Sequence, residues 1–379
     1  MDEKRVLGNV REIAQEFAAG RADRQRRRFL DPGDFERLAD AGFLLTGVSG
    51  ELGGIWANPA ISTRPVAEIL RALGATDPAV ALVSAMHPAV CAFWLAAPEA
   101  SDQSEAWRRQ KRLVSEIALE GGWWGTITSE PGSGGDIGRT KATATPDEGD
   151  GWRLSGQKHF GSGSGIVSFM ITTARPEGED PDWFYLDVRD ASWDGSGGMK
   201  LVAEWDGQGM TATQSHGFAF EDYPATRMAW PGHMRDVAAA AGPFIGCCFT
   251  AVVLGIIESA VAKAREQLSG RLDSLRPYER VEWMKALNNA WLMEQAYEGM
   301  LRAVEGGSAT VAADVLKGKT ACAELAEEVM TAVCRVIGGG AFNRSSPFGF
   351  WFEDVRALGF LRPPWGLAFD SLFELEAAR

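Results

Sequence analysis

Thr126-Ile127-Thr128-Ser129-Glu130-Pro131-Gly132-Ser133-Gly134-Gly135-Asp136, followed by Gly156-Gln157-Lys158-His159-Phe160-Gly161-Ser162-Gly163, is the stretch on which the fold turns. Both segments are glycine-rich and carry hydroxyls. Turn glycines let backbone N–H groups approach a bound ring or pyrophosphate closely. From about residue 119 to 232, Gly, Thr, Ser, Trp and Asp dominate and apolar residues alternate. Trp152–Gly156, Met170–Ala174 and Phe184–Val188 read as strands between glycine turns. This texture predicts a compact β unit.

Outward on both sides the pattern becomes helical. Leu7, Val10, Ile13 and Phe17 recur at helical spacing. Asp31-Pro32 predicts a helix start, with Asp31 capping and Pro32 in the first turn. Past the β unit, helices are expected over 243–270, 278–303 and 309–337, the last broken by Gly338-Gly339-Gly340. The expected architecture is α+β: an N-terminal helical domain (1–118), a central β-barrel-like domain (119–232) and a C-terminal four-helix bundle (233–379). Residues 237–257 carry no formal charge. They match a membrane span in length, but their glycines, proline and alanines favour a buried bundle helix.

The chain has 379 residues, 38 basic and 51 acidic, for a net charge of −13. Such an excess repels phosphate backbones and argues against nucleic acid as a partner. Five cysteines at irregular spacing, without a CxxC pair, read as reduced thiols. With no visible signal peptide, a cytoplasmic, non-membrane protein is expected. No dinucleotide fingerprint, P-loop or metal-ligand spacing is present.

The two opening segments together resemble the acyl-CoA dehydrogenase superfamily of flavoproteins, whose pattern is T-E-P-G-x-G-S-D and then G-x-K-x-W-I-T-N-G. Asp40–Phe43 with Glu51–Gly54, and Gly338–Phe342, are similar to an early and a late glycine segment of that family. The resemblance implies FAD, with FMN as the alternative, possibly used in reduced form. It implies flavin contacts from Thr128, Ser129, Gly134, Gly135, Phe160 and Ser162. Ser129 and Ser162 stand for two ring-contacting threonines, and Phe160 for a tryptophan on the flavin face. Gly135 replaces the family's serine. Arg271, Gly338 and Gly339 complete the implied cofactor set. In the family the cofactor crosses a subunit boundary toward a neighbour's Gly-Gly loop, so a homodimer or homotetramer is expected. Arg335 stands where a glutamine commonly contacts the adenosine part, which leaves FAD against FMN open.

The base that a dehydrogenase needs is where the sequence departs from the family. The family's C-terminal glutamate position is held by Arg362, within Leu361-Arg362-Pro363-Pro364. A guanidinium cannot accept a substrate proton, but it can hold an anion. An alternative base position, on the long helix beside Arg271, leaves Asp273 as a candidate. Phe160-Gly161-Ser162-Gly163 and Thr213-Gln214-Ser215-His216 resemble the superfamily's flavin monooxygenases, some of which keep a pocket histidine near the position of His87. Three functions follow as expectations. The leading one is an acyl-thioester or related dehydrogenase with a non-standard base. The second is a two-component monooxygenase fed by a flavin reductase. The third is a half-catalytic subunit of a hetero-oligomer.

Overall fold

A computed structural model describes residues 1–98, 104–149 and 151–377. Among the described residues six α-helices come first: α1 (Glu3–Ala19), α2 (Arg21–Arg24), α3 (Pro32–Asp40), α4 (Pro59–Gly74), α5 (Pro78–Leu95) and α6 (Glu105–Leu119). Their starts are chemically marked. The Asp31 carboxylate accepts from Gly33 N, Asn58 from Ile61 N and Asp77 from Val80 N, each just before a proline in the first turn.

Seven strands follow: β1 (Trp124–Thr126), β2 (Thr143–Pro146), β3 (Trp152–Gly161), β4 (Phe169–Pro176), β5 (Asp182–Asp187), β6 (Met199–Ala203) and β7 (His216–Arg227). The path β4–β2–β3–β7–β5 closes because β5 also pairs with β4, antiparallel over 169–174. β4 is almost wholly buried because it lies at the seam. One edge meets β5, and the other meets β1 at its start and β2 at its end, both in parallel. The sheet is therefore the expected closed barrel, with β6 added outside on β7.

The chain returns to helix in α7 (Met234–Leu268), α8 (Pro277–Gly306), α9 (Val311–Ile337), α10 (Phe348–Val355), α11 (Ala357–Phe360) and α12 (Trp365–Ala377). α5 and α7 are long and apolar enough to cross a membrane by length and composition, yet both are buried within the fold. α7 is the central strut, packed against α4, α5, α8 and α9. Its approach to α4 is so close that a Cβ on Gly74 would lie 2.2 Å from the Val252 carbonyl oxygen. One on Gly255 would lie 2.2 Å from that of Arg71. Only glycine fits at this crossing. All five cysteines are free thiols.

Candidate functional site

A cavity of about 950 Å³ opens where barrel and helices meet, at the upper end of the range for small-molecule sites. One wall comes from the barrel: the loop after β1, the end of β3 and the segment before β7. The opposite wall comes from α5, the start of α7 and the segment from α10 to α12.

The loop after β1 is held by a buried ion pair that the sequence reading did not single out. Lys158 Nζ lies 2.5 Å from Glu130 Oε1, and both side chains are almost fully buried. Lys158 also donates to the Thr173 carbonyl, while Glu130 accepts from Lys141 N, Ala142 N and the Thr140 hydroxyl. Burial alone would raise the Glu130 pKa, but the hydrogen bonds from Lys158 and Thr140 win and hold it below its ordinary value. Burial lowers the Lys158 pKa to about 8. A buried pair with every valence used is costly to break from one side. This one ties the Ser129–Asp136 loop to β3 and β4. The sequence signal was an alternating strand with a lysine on its inward face.

At the end of β3 the ladder to β7 shifts register between Lys158 and Gly161. Such a bulge re-aims a side chain. Phe160, at φ 60°, is turned out to 57% exposure on the cavity wall. Positive φ is uncommon for a bulky residue, and here it accompanies the bulge that turns the ring out. Next to it runs a chain of hydroxyls. Thr213 Oγ1 donates to the Met210 carbonyl at 2.9 Å, so its oxygen accepts from Ser215 at 2.8 Å. Ser215 then accepts from Ser162 at 2.9 Å. The single Ser162 proton is thus committed inside the protein, and Ser162 offers the cavity a lone pair.

On the helical wall, Arg362 reaches across the cavity. Its Nη2 donates to Ser129 Oγ at 3.1 Å. Its Nη1 is shut off from solvent and has no hydrogen-bond partner among the described residues. Burial lowers the guanidinium pKa to about 10, so it stays a cation at neutral pH. Lys319 of α9 sets this posture, donating to the Leu361 and Pro363 carbonyls, each at 2.8 Å. Gly135 sits against Pro364 at a point where a Cβ would be 2.8 Å from the proline ring. The family's serine would not fit there unless Pro364 moved.

Among the described residues three carboxylates line the cavity, two of them paired with cations. Glu130 pairs with Lys158, Glu353 with Arg356 at 2.7 Å, and Asp136 accepts from Gly138 N at 2.8 Å. Asp354 does not pair with Arg362. It is buried and accepts from Met210 N at 2.6 Å.

Of the residues expected from sequence, Thr128, Ser129, Gly134, Gly135, Phe160, Ser162 and Arg362 all line the cavity. His87 and Asp273 do not. His87 is fully buried beside the barrel, donating from Nε2 to the Leu44 carbonyl at 3.0 Å and accepting at Nδ1 from Trp124 N. Burial lowers its pKa to about 4, so it is a neutral packing residue and not a cavity base. Asp273 is exposed in a short turn after α7. Arg271 is exposed beside it, and Gly338 and Gly339 lie at the end of α9, outside this chain's own cavity. Arg335 pairs with Glu282 at 3.0 Å. No cluster of metal-ligating side chains occurs among the described residues.

The cavity suits a flat, partly polar ring system. It has an exposed aromatic face at Phe160, hydroxyls at Ser129 and Ser162, and a glycine turn at Gly134 with open space where a Cβ would be.

Comparison with known proteins agrees with this geometry. Residues 125–223 match the family model for the acyl-CoA dehydrogenase middle domain. A dibenzothiophene monooxygenase of Mycolicibacterium goodii is 27% identical over 271 residues, which are 68% of this chain and 61% of that protein. An L-evernosamine nitrososynthase of a Micromonospora strain is 24% identical over 93% of this chain and 84% of its own length. A solved structure of KijD3 with FMN and a dTDP-linked amino sugar superposes with a TM-score of 0.82 at 20% identity. That likeness covers 99% of this chain and 93% of KijD3.

Proposed function

We propose that this chain is a flavin-dependent oxygenase of the acyl-CoA dehydrogenase superfamily, not a dehydrogenase. The observation that carries this reading is the helical wall. A dehydrogenase needs a free carboxylate facing the substrate. Here a buried arginine lines the helical wall, and of the carboxylates that line the cavity Glu130 and Glu353 are each paired with a cation. The relatives named for a monooxygenase and a nitrososynthase support the same direction.

Phe160, Ser129, Ser162 and the Gly134–Gly135 turn would hold the flavin ring. The bound reduced flavin would supply the electrons with which O2 gives one oxygen atom to substrate and the other to water. The chain's own residues set the conditions. Ser162 presents an acceptor, which complements the N5–H of a reduced flavin better than the bare N5 of an oxidised one. The apolar helices α5 and α7 keep bulk water from the reacting face. A separate reductase delivers the flavin, and the reading favours FMN, which asks nothing of Arg335. The chain works as a homo-oligomer, supported by exposed Tyr278, Val281, Met284 and Trp291 along α8. Arg271, Gly338 and Gly339 then face the flavin of a neighbouring copy.

The test supplies enzymatically reduced FMN under ¹⁸O2 to the protein with a panel of hydrophobic amines, thioethers and arenes. Label in a product is the expected result. Stoichiometric bleaching of bound oxidised flavin by a saturated acyl-CoA, without label in any product, would restore the dehydrogenase.

A further inference from the structure

Gly242 is a glycine that the fold does not ask for. It sits in the interior of α7, one turn from Ala238 and one from Ile245, and all three line the cavity from one face of the helix. Its backbone is helical, not left-handed. A Cβ built on it would meet nothing within 4 Å beyond its chain neighbours and its own helix backbone. The other two glycines of α7 differ. A Cβ on Gly246 would lie 2.8 Å from Val315 Cγ1, and one on Gly255 is barred by the Arg71 carbonyl. Proline restrains the residue before it, and Pro243 follows Gly242. Yet Arg64 and His87 precede Pro65 and Pro88 inside α4 and α5. Glycine is the weakest helix former after proline, so neither backbone geometry nor packing within the chain accounts for it here. What it leaves is room in the cavity.

That room lies in a charge-free part of the cavity. α5 and α7 give the wall only apolar side chains, and the lining charges come from the loop after β1 and from the segment between α10 and α12. The lining face of α5 runs from Leu82 to Phe93, about 16 Å at ~1.5 Å per residue. Its Leu82 end adjoins the Ser162 turn, since a Cβ on Gly163 would touch Val83 Cγ1 at 2.6 Å. At its other end the Phe93 and Trp183 rings lie 4.8 Å apart between centroids. Ala238, one turn before Gly242, packs on the same cluster as Phe93 and Trp183. A charged group in this trough would have no partner. Phe93, Trp183 and Phe249 instead offer ring edges and faces to another aromatic ring.

We propose that Gly242 is a specificity-determining residue, and that the gap it leaves between α5 and α7 takes the ring system of an uncharged, fused-ring aromatic substrate. One end of that substrate would lie near Leu82, beside the Ser162 turn, and the rest would extend past Gly242 toward Phe93 and Trp183. The proposal names a substrate class for the reading above and rests on the cavity being the substrate site, but its test requires neither flavin nor oxygen.

The experiment is equilibrium dialysis of the full-length protein at neutral pH with three probes: 1-indanol, 9-fluorenol and fluorene-9-carboxylate. The second adds a ring to the first, and the third replaces the hydroxyl of the second with a charge. Wild type is expected to bind 9-fluorenol about tenfold or more tighter than either of the others, from burying one more ring and from leaving no carboxylate unpaired. Gly242→Leu fills the gap and should erase the ratio of 9-fluorenol to 1-indanol affinity. Gly242→Ala should reduce that ratio partway and raise the thermal unfolding midpoint, since nothing in the fold opposes the added methyl. Where Gly242→Leu does not fold, Gly242→Ala and the wild-type preferences decide. A wild-type ratio near one for either pair overturns the proposal, as does an unchanged ratio in Gly242→Leu. A lowered midpoint in Gly242→Ala overturns it too, because the glycine would then serve the fold. Retention of the ring preference with no ¹⁸O entering any product would instead sink the oxygenase reading and leave the assignment of Gly242 standing.

Discussion

The two walls of the cavity differ in kind. The barrel wall is built from backbone turns, a bulge and neutral hydroxyls, and it rests on a buried Lys158–Glu130 pair. The helical wall is built from apolar side chains and one posed cation, with Lys319 behind it. The barrel wall presents the features that the proposed flavin ring would use: Phe160, Ser129, Ser162 and the Gly134 turn. The helical wall carries a buried arginine, Arg362, bonded to Ser129 of the barrel wall. On the proposed reading the barrel wall binds the cofactor and the helical wall shapes the substrate, with the Arg362–Ser129 bond joining the two.

The largest effect is expected where the barrel wall is broken from beneath. Lys158→Met leaves Glu130 buried and unpaired and should cost about 3–5 kcal/mol of stability. Denaturant unfolding checks this, and Glu130→Gln in the same chain should recover part of the loss. An unchanged midpoint would mean that the pair does not support the loop.

The junction of the two walls is Asp354, which binds Met210 N from α10. Burial raises its pKa to about 7 from an ordinary 3.8. Between those values the native state holds a proton that the unfolded chain has lost, so this residue's contribution falls as pH rises from about 4 to about 7 and stays low above. Asp354→Asn keeps the acceptor and removes the charge. It should match wild type near pH 4 and exceed it at pH 8 by on the order of 2–4 kcal/mol. Buried His87 acts oppositely, with stability lost as pH falls from 6.5 toward about 4. Only the difference between wild type and variant isolates Asp354. Equal stabilities at both pH values would contradict the assignment.

A smaller effect sharpens the barrel wall's role. Ser215→Ala frees the Ser162 proton to point into the cavity. Affinity for oxidised FMN should then rise relative to reduced FMN by roughly 3- to 10-fold, one hydrogen bond's worth. The smallest effect belongs to the helical side. Asp273→Asn, in an exposed turn, should leave flavin affinity and turnover unchanged within error.

Most of the architecture was legible in the sequence because periodicity changes where barrel meets helix. Capping residues also mark the helix starts. The barrel wall was legible because glycine turns and hydroxyls are local in sequence. The Lys158–Glu130 pair was missed because its partners come from different segments and only the barrel's closure brings them together. His87 and Asp273 were misplaced for the same reason. Three-dimensional packing decided that the histidine binds the backbone of residues 44 and 124, and that the aspartate faces away. Arg362 was recognised as a departure, but not the Lys319 contacts that aim it from another helix.

The central claim is that the barrel wall holds flavin in the reduced state for oxygen chemistry. Anaerobic equilibrium titration of the full-length protein with FMN, oxidised in one series and dithionite-reduced in the other, tests it most directly. Tighter binding of the reduced form is expected, with the preference diminished in Ser215→Ala. Preference for the oxidised form, or no binding of either, would contradict it.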